Sequence, residues 1–397
     1  MNLTIKIRSL LAGVFVLIAF ILLFDGFLYQ IEFLIFKDYV FKPFYVKILF
    51  YALFPLLFLY NKRFNLNYLV VLLFTTAILA NLYVNLNISI FGYNLYYSAL
   101  IVFILMAIVF KNGDENFDKY RPLLIFVSFA SLALGLLQGV GINPFNGSEN
   151  STDSILQSKS IYGIDRVYSL FSSALNFGYA IIFMFVWAAS DVKFRLRWLF
   201  LVFSALCIYL TYTRTIYIMF FLAILGIFLK PLIYRLPVKI RSVFVIMFYP
   251  ALGLVIILAA SNLPQSQDLL SSESANLRIN QWIGQLNTFS QLPLNMQIFG
   301  TGVYQAQYIS GPIIDNMYLA VLLNIGYYGL ICWLILIYAF ISFLQKFVDR
   351  ANQYYFEILS GLWLFAMINN ISVGIIETLL FLSAVIIFRT RGEKNVY

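Results

Sequence analysis

Residues 198–260 read WLFLVFSALCIYLTYTRTIYIMFFLAILGIFLKPLIYRLPVKIRSVFVIMFYPALGLVIILAA. Three apolar runs, at about 198–213, 215–229 and 243–260, are parted by one turn carrying Arg214 and a longer turn carrying Lys230, Arg235, Lys239 and Arg241. A helix needs about 17 to 25 predominantly apolar residues to cross the hydrocarbon core. The stretch therefore predicts three consecutive membrane spans joined by short turns. The same criterion applied outward predicts nine more, at about 9–24, 44–60, 66–84, 91–110, 122–141, 169–190, 315–343, 355–370 and 372–388. The tenth, 315–343, is long enough to tilt or to extend beyond the bilayer. The first lacks a small-residue cleavage site and is expected to be a retained helix.

The predicted class is an all-α polytopic membrane protein of about 12 transmembrane helices, a single integral membrane domain over residues 1–397. Composition agrees, with 62% hydrophobic and only 11% charged residues, against about a quarter charged in a soluble domain. Most soluble enzyme classes are thereby excluded. Histidine is absent, which removes the Ser-His-Asp triad and the common His-based metal sites. Cys207 and Cys332 lie inside apolar runs and are expected to be small core residues, not a disulfide, redox or zinc set. There is no Walker A loop and no Asp-x-Asp pair, so neither an ATP-driven pump nor metal-held nucleotide-sugar chemistry is indicated.

Charge sets the orientation. With the N-terminus placed in the cytoplasm, 19 of the 26 basic residues fall on cytoplasmic turns, and both termini lie inside. The net charge of +9 is then a consequence of topology, with no nucleic-acid partner. Two outer segments are long, about 142–168 and 261–314, and rich in Asn, Ser, Gln and Gly. Long loops are uncommon unless functional or disordered. The second contains SSESANLRINQWIGQLNTF, where Leu277, Trp282, Ile283, Leu286 and Phe289 predict an amphipathic helix at the outer surface.

Arginines on the outer side are the exceptions to this pattern. They are Arg166 in GIDRVYS, Arg214 in YTRTIY and Arg278 in ANLRINQW. A guanidinium fork suits phosphate and carboxylate oxygens, and three facing one side would hold a diphosphate. The bland alternative is a solvated anchor at the headgroup level. For Arg214 function is favoured, because it sits between two apolar spans with almost no loop, where an unpaired charge is costly.

Asp315 opens a span on its outer side, either as an N-cap or as a general base. Asn316 and Tyr318 would share its face or the adjacent turn and position substrate. Gly300, Gly302 and Gly311 allow tight loop geometry or belong to ordinary turns. Glu377, early in the last span, is either a functional carboxylate or the structural partner of an outer arginine. Glu357 lies near the cytoplasmic end of its span and is expected to reach the interface.

The order of these signals resembles the O-antigen polymerase (Wzy) and O-antigen ligase superfamily of bacterial envelope glycan enzymes. RVYSLFSSALNFGYA, from Arg166 to Ala180, is similar to the family's Arg-x-x-Gly/Ser-x-Phe followed by Asn and Gly. LTYTRTIYI, from Leu210 to Ile218, resembles its Thr-x-Ser-Arg segment, with Thr213 in place of the usual Ser. Arg278 to Trp282 resembles the outer-loop Arg-x-x-x-Trp. FGTGVYQAQ followed by DNMYLAVLLNIGYYGL resembles the Gly-x-Gly segment and the following His/Asp-Asn-x-Tyr-Leu helix. Together these matches span residues 166 to 330, while the first 160 residues match in hydropathy alone. Ligases of the group typically carry a histidine in the outer loop or before Asn-x-Tyr. This chain has Asp315 there, which favours the polymerase branch.

The resemblance implies a metal-independent glycosyltransferase of the bacterial inner membrane, without a cofactor and with its active site on the periplasmic face. It implies undecaprenyl-diphosphate-linked glycans as donor and acceptor among the membrane lipids, with a chain-length regulator and a flippase as partners. It implies that Arg166, Arg214 and Arg278 bind the diphosphate and that Asp315 and Arg214 are catalytic. Glycan transfer to another acceptor, as by a ligase, and a lipid-linked oligosaccharide flippase or transporter remain alternatives. A scaffold subunit of an envelope assembly is a third.

Overall fold

The computed structural model describes residues 117–142, 166–171, 173–191, 195–261, 273–302 and 316–369, with a few isolated positions elsewhere. Within them the chain is helical and contains no strand. The helices, numbered among the described residues, are α1 (Arg121–Gly139), α2 (Ala174–Ser190), α3 (Arg197–Leu210), α4 (Arg214–Ile233), α5 (Val238–Ser261), α6 (Glu273–Ser290), α7 (Leu294–Phe299), α8 (Met317–Leu344) and α9 (Gln353–Ala366). Four of them, α1, α4, α5 and α8, contain segments long and apolar enough to cross a membrane, and α2 and α3 are shorter apolar helices. The predicted spans 9–24, 44–60, 66–84, 91–110 and 372–388 lie outside the described residues. So do both termini, Asp315, Glu377, Gly311 and most of the outer segment 142–168.

Burial follows from each helix's apolar pattern. α1 buries Leu124, Ser128, Ser131, Leu132 and Gly135, a stripe at helical spacing, and turns Phe126 and Leu137 outward. α2 is apolar nearly all round and is central, with Phe177 to Met184 buried without a break. α9 is equally enclosed from Tyr354 to Ala366. The outer faces of α3, α4 and α5 present Trp198, Leu206, Phe221, Phe228, Val243 and Met247. Large exposed apolar side chains on that many helices are what a lipid-facing surface requires.

The helices alternate in direction. Arg121 of α1 pairs with Asp191, just past α2. Gly178 near the start of α2 lies against Ile216 near the start of α4, so these two run parallel. At the end where α4 finishes and α5 and α9 begin, Lys230 donates to the Tyr355 hydroxyl and Arg241 pairs with Glu357. Asp191 and Glu357 therefore lie toward one end of the bundle, and the arginines of interest lie at the other.

Glu357 corrects an expectation. It does not reach an interface but is fully buried, with Arg241 donating from Nε at 2.9 Å and from Nη2 at 3.2 Å, and Ser242 donating as well. A carboxylate one turn into a packed helix cannot bend to water, so it is neutralised in place. The span at 315–343 carries a feature the sequence reading did not foresee. α8 is long, as expected, and is broken at Gly326, where φ is 71° and ψ is −172°.

Candidate functional site

The site end is built from the turn between α3 and α4, the 166–171 segment, the surface helix α6 and the start of α8. Residues 166–171 are not helical, and α2 starts only at Ala174, later than the apolar run suggests. Ser173 caps it by accepting from the Asn176 amide at 3.1 Å. The 166–171 segment is pinned to α1 and to the end of α3. Gln138 Oε1 accepts from the Tyr168 and Ser169 amides, Ser169 Oγ donates to the Ser131 carbonyl, and the Val167 amide donates to the Leu210 carbonyl.

Arg166 reaches from this segment into the α3–α4 turn. Its Nε donates to the Thr211 carbonyl at 3.1 Å and its Nη2 donates to Thr213 Oγ1. The Thr213 hydroxyl donates in turn to the Thr211 carbonyl at 2.9 Å. Thr213 occupies the N-cap position of α4 without capping the helix, because its oxygen is held by Arg166. The next residue is Arg214, half-buried at the first position of α4. Burial lowers the pKa of Arg166 and the neighbouring Tyr217 opposes that shift.

Backbone conformation singles out the same place. Among the described residues, the non-glycine residues with positive φ are Ser169, at 52°, and Tyr212, at 45°. Both flank the Arg166–Thr213 contact. Left-handed conformations in side chains of this kind persist where surrounding bonds over-determine them, and they cluster at functional sites. The bonds from Gln138 to residues 168 and 169 hold one of them here.

Arg278 approaches from α6. The predicted amphipathic helix is present, but of the predicted apolar set only Trp282 and Phe289 lie on its inward face. Leu277, Ile283 and Leu286 are 65%, 52% and 44% exposed. The face turned inward is Arg278, Trp282, Gln285 and Phe289, spaced at i, i+4, i+7 and i+11, with Gln285 and Phe289 buried. The Arg-x-x-x-Trp spacing thus places the guanidinium and the indole on one docked face. Phe289 meets Tyr327 of α8 edge-on at 5.3 Å. Arg278 lies within electrostatic reach of the Tyr179 phenol, on the turn of α2 that carries Gly178. Since Gly178 packs on Ile216, two residues after Arg214, the first turns of α2 and α4 meet, while α6 packs on α5 and α8.

The start of α8 lies at this same end. Asn316, and not Asp315, is the N-cap, its Oδ1 accepting from the Tyr318 and Leu319 amides at 3.0 and 3.3 Å. Of the two roles left open for Asp315, the cap is therefore taken by its neighbour. The Tyr318 hydroxyl donates to the Leu364 carbonyl of α9 at 2.9 Å, and its ring packs edge-on to Trp333. Both predicted positioning residues thus have structural bonds of their own. Glu377 and Asp315 lie outside the described residues.

The Gly-x-Gly segment is more than an ordinary turn. Where α8 breaks at Gly326, the Leu323 and Asn324 carbonyls accept from the Thr301 and Gly302 amides at 2.9 and 3.0 Å. Gly300, at φ 84°, has no room for a Cβ against the Asn324 carbonyl, and Gly326 none against the Ile298 carbonyl. The loop following α7 replaces the helical hydrogen bonds that the break removes.

Sequence reasoning missed Gln138, Tyr179 and the Arg241–Glu357 pair, and read Ser169 and Gly326 as members of motif matches without the bonds and the helix break they carry. A glutamine in an apolar run was the available signal for Gln138. The first turns of α2, α4 and α8 lie toward the same end of the bundle, and helix N-termini add positive potential for an anion. Among the described residues there is no cluster of His, Cys, Asp or Glu that could hold a metal ion. Comparison with protein-family models, with curated proteins and with solved structures finds no match.

Proposed function

We propose that the chain is a polysaccharide repeat-unit polymerase, a metal-independent membrane glycosyltransferase acting on undecaprenyl-diphosphate-linked oligosaccharides at the outer face of a bacterial inner membrane. The observation that carries this reading is the bonding of Arg166, from a segment distant in sequence, into the turn that precedes Arg214, with Arg278 on the inward face of α6 within electrostatic reach of α2. Such an arrangement suits a diphosphate in place, and its value rises as charge develops on a leaving diphosphate.

The reaction balances without an external energy source. The acceptor hydroxyl attacks the donor's anomeric carbon and forms a glycosidic C–O bond. The C–O bond to the diphosphate breaks, and the lipid diphosphate departs with both electrons. Arg166, Arg214 and Arg278 stabilise its charge, and Asp315 receives the hydroxyl proton. A flippase would instead need cations in a cavity near the bilayer midplane, open to both sides. Arg214 at the first position of α4, with Arg166 bonded to the turn before it, favours surface chemistry over that reading. A ligase would share the site and differ in its acceptor.

The test is the surface glycan ladder of a deletion strain complemented with variants. Wild type should restore the ladder. Arg214→Ala should give a single repeat unit, and Arg214→Lys should fail too, because a point charge does not replace a bidentate fork. A ladder of normal length from Arg214→Lys would count against the assignment. A ladder that persists in the deletion strain itself would reject the polymerase.

A further inference from the structure

Tyr179 is a buried phenol that the fold leaves unsatisfied. It lies near the start of α2, about 8 Å below the first residue of that helix, and is fully enclosed. Its hydroxyl has no hydrogen-bond partner among the described residues. The bundle treats other phenols differently. The Tyr354 hydroxyl donates to the Gly226 carbonyl at 2.8 Å, and the Tyr318 hydroxyl donates to the Leu364 carbonyl at 2.9 Å. A buried donor without an acceptor is costly, because its hydration is lost and nothing replaces it. Phenylalanine would fill the same space without that cost, so packing does not account for this hydroxyl.

Its surroundings say what would satisfy it. Trp282, one helical turn after Arg278 on the inward face of α6, packs against the core cluster to which Tyr179 belongs. The Arg278 guanidinium lies within electrostatic reach of the phenol. A guanidinium carries donors and no acceptor, and a phenol O–H is a donor too. One anionic oxygen accepts from both. The carboxylates of Asp191 and Glu357 are engaged toward the other end of the bundle, so neither supplies that oxygen. Arg278 is half-buried, with a long rotatable side chain, and so leads from the enclosed hydroxyl toward solvent. We propose that Tyr179 and Arg278 form one anion subsite: the Arg278 side chain swings to admit a phosphate oxygen of the lipid diphosphate, which accepts from the phenol and the guanidinium together. The inference rests on the reading that the substrate is a lipid diphosphate, and it adds a binding residue that is not an arginine. A neutral phenol is buried at less cost than a charge, and its bond strengthens as negative charge grows on the oxygen it holds.

The experiment uses the full chain in phosphatidylcholine nanodiscs and reads binding of undecaprenyl diphosphate, with undecaprenol as the neutral control. Tyr179→Phe should keep the melting temperature, raise Kd for the diphosphate about tenfold and leave Kd for undecaprenol unchanged. A fall in melting temperature would mean that the hydroxyl holds the fold. Equal weakening of both probes would place the effect on the tail. Unchanged binding of both would remove Tyr179 from the site. Each of these overturns the inference. Because both groups bond one oxygen, Arg278→Ala should cost less binding in the Tyr179→Phe background than in wild type, and additive losses would overturn the shared subsite. Phosphatidylglycerol added to the nanodiscs should compete weakly. Competition equal to that of undecaprenyl diphosphate would mean a membrane lipid headgroup only, and would overturn the assignment to the diphosphate. Binding is read without turnover, so the glycan ladder is a separate measurement. Weakened binding in Tyr179→Phe together with a ladder that persists in the deletion strain would refute the polymerase reading and leave the subsite standing. Unchanged binding together with a ladder that depends on the protein would do the reverse.

Discussion

At the residue scale, the arrangement rests on a few polar side chains held in apolar surroundings. Thr213 is the hinge of the site, since its oxygen both accepts from Arg166 and donates to Thr211. Thr213→Ser keeps that hydroxyl and should retain near-normal glycan length. Thr213→Val removes it, loses a charge-assisted bond of about 1.5–3 kcal/mol, and should lower polymerisation about tenfold or more. Equal activity of the Ser and Val variants would show that Thr213 does not hold Arg166 in the working protein. Glu357 makes the opposite case, where the effect is on stability. Removing one partner of a buried ion pair costs about 3–5 kcal/mol. Glu357→Gln should therefore lower the melting temperature in detergent sharply, while Arg241→Met combined with Glu357→Leu should recover much of the loss. Tyr179 belongs here as well. Its hydroxyl is buried with no hydrogen-bond partner among the described residues, so Tyr179→Phe should not lower the melting temperature.

At the scale of elements, the break in α8 and the docked surface helix matter most. Gly300 and Gly326 each lie where the other segment's backbone leaves no room for a side chain. Gly326→Ala and Gly300→Ala should each destabilise the fold, and the double variant should lose less than the sum, because both report the same contact. Additive losses in thermal denaturation would mean that the two glycines act independently. Helix α6 shows how far a sequence pattern carries. The 3.6-residue periodicity of 273–290 was legible, but the docked face was not. The apolar residues Leu277, Ile283 and Leu286 are turned outward, while Arg278 and Gln285 face the bundle. Periodicity states that a helix has two faces. Which one is buried depends on what it packs against, and near a bilayer both lipid and protein accept apolar side chains.

At the scale of the whole molecule, polar bonds separate by end. Arg121–Asp191, Lys230–Tyr355 and Arg241–Glu357 lie toward one end, and Arg166 with the α3–α4 turn lies at the other. If the charge pattern gives the orientation correctly, a cysteine placed at Arg235 should react with a membrane-impermeant maleimide only in opened cells, and one at Asn287 in intact cells. Cys207 and Cys332 are buried and should stay silent in both. Reversed labelling would invert the orientation.

The sequence by itself determined the helical, apolar class of molecule, the approximate position of the helices that fall on described residues, four of them long and apolar enough to cross a membrane, and the short list of three candidate arginines. Those follow from length, apolarity and charge, which are properties of the chain in any conformation. Only the tertiary structure decided that Arg166 is tied to the turn before Arg214, that Arg278 lies on the inward face of α6, that Asn316 and not Asp315 caps α8, and that Glu357 is buried against Arg241. Each of these depends on which segments, distant in sequence, come within a few ångströms of one another. A hydrogen bond or ion pair exists only at that distance, and no local pattern encodes it.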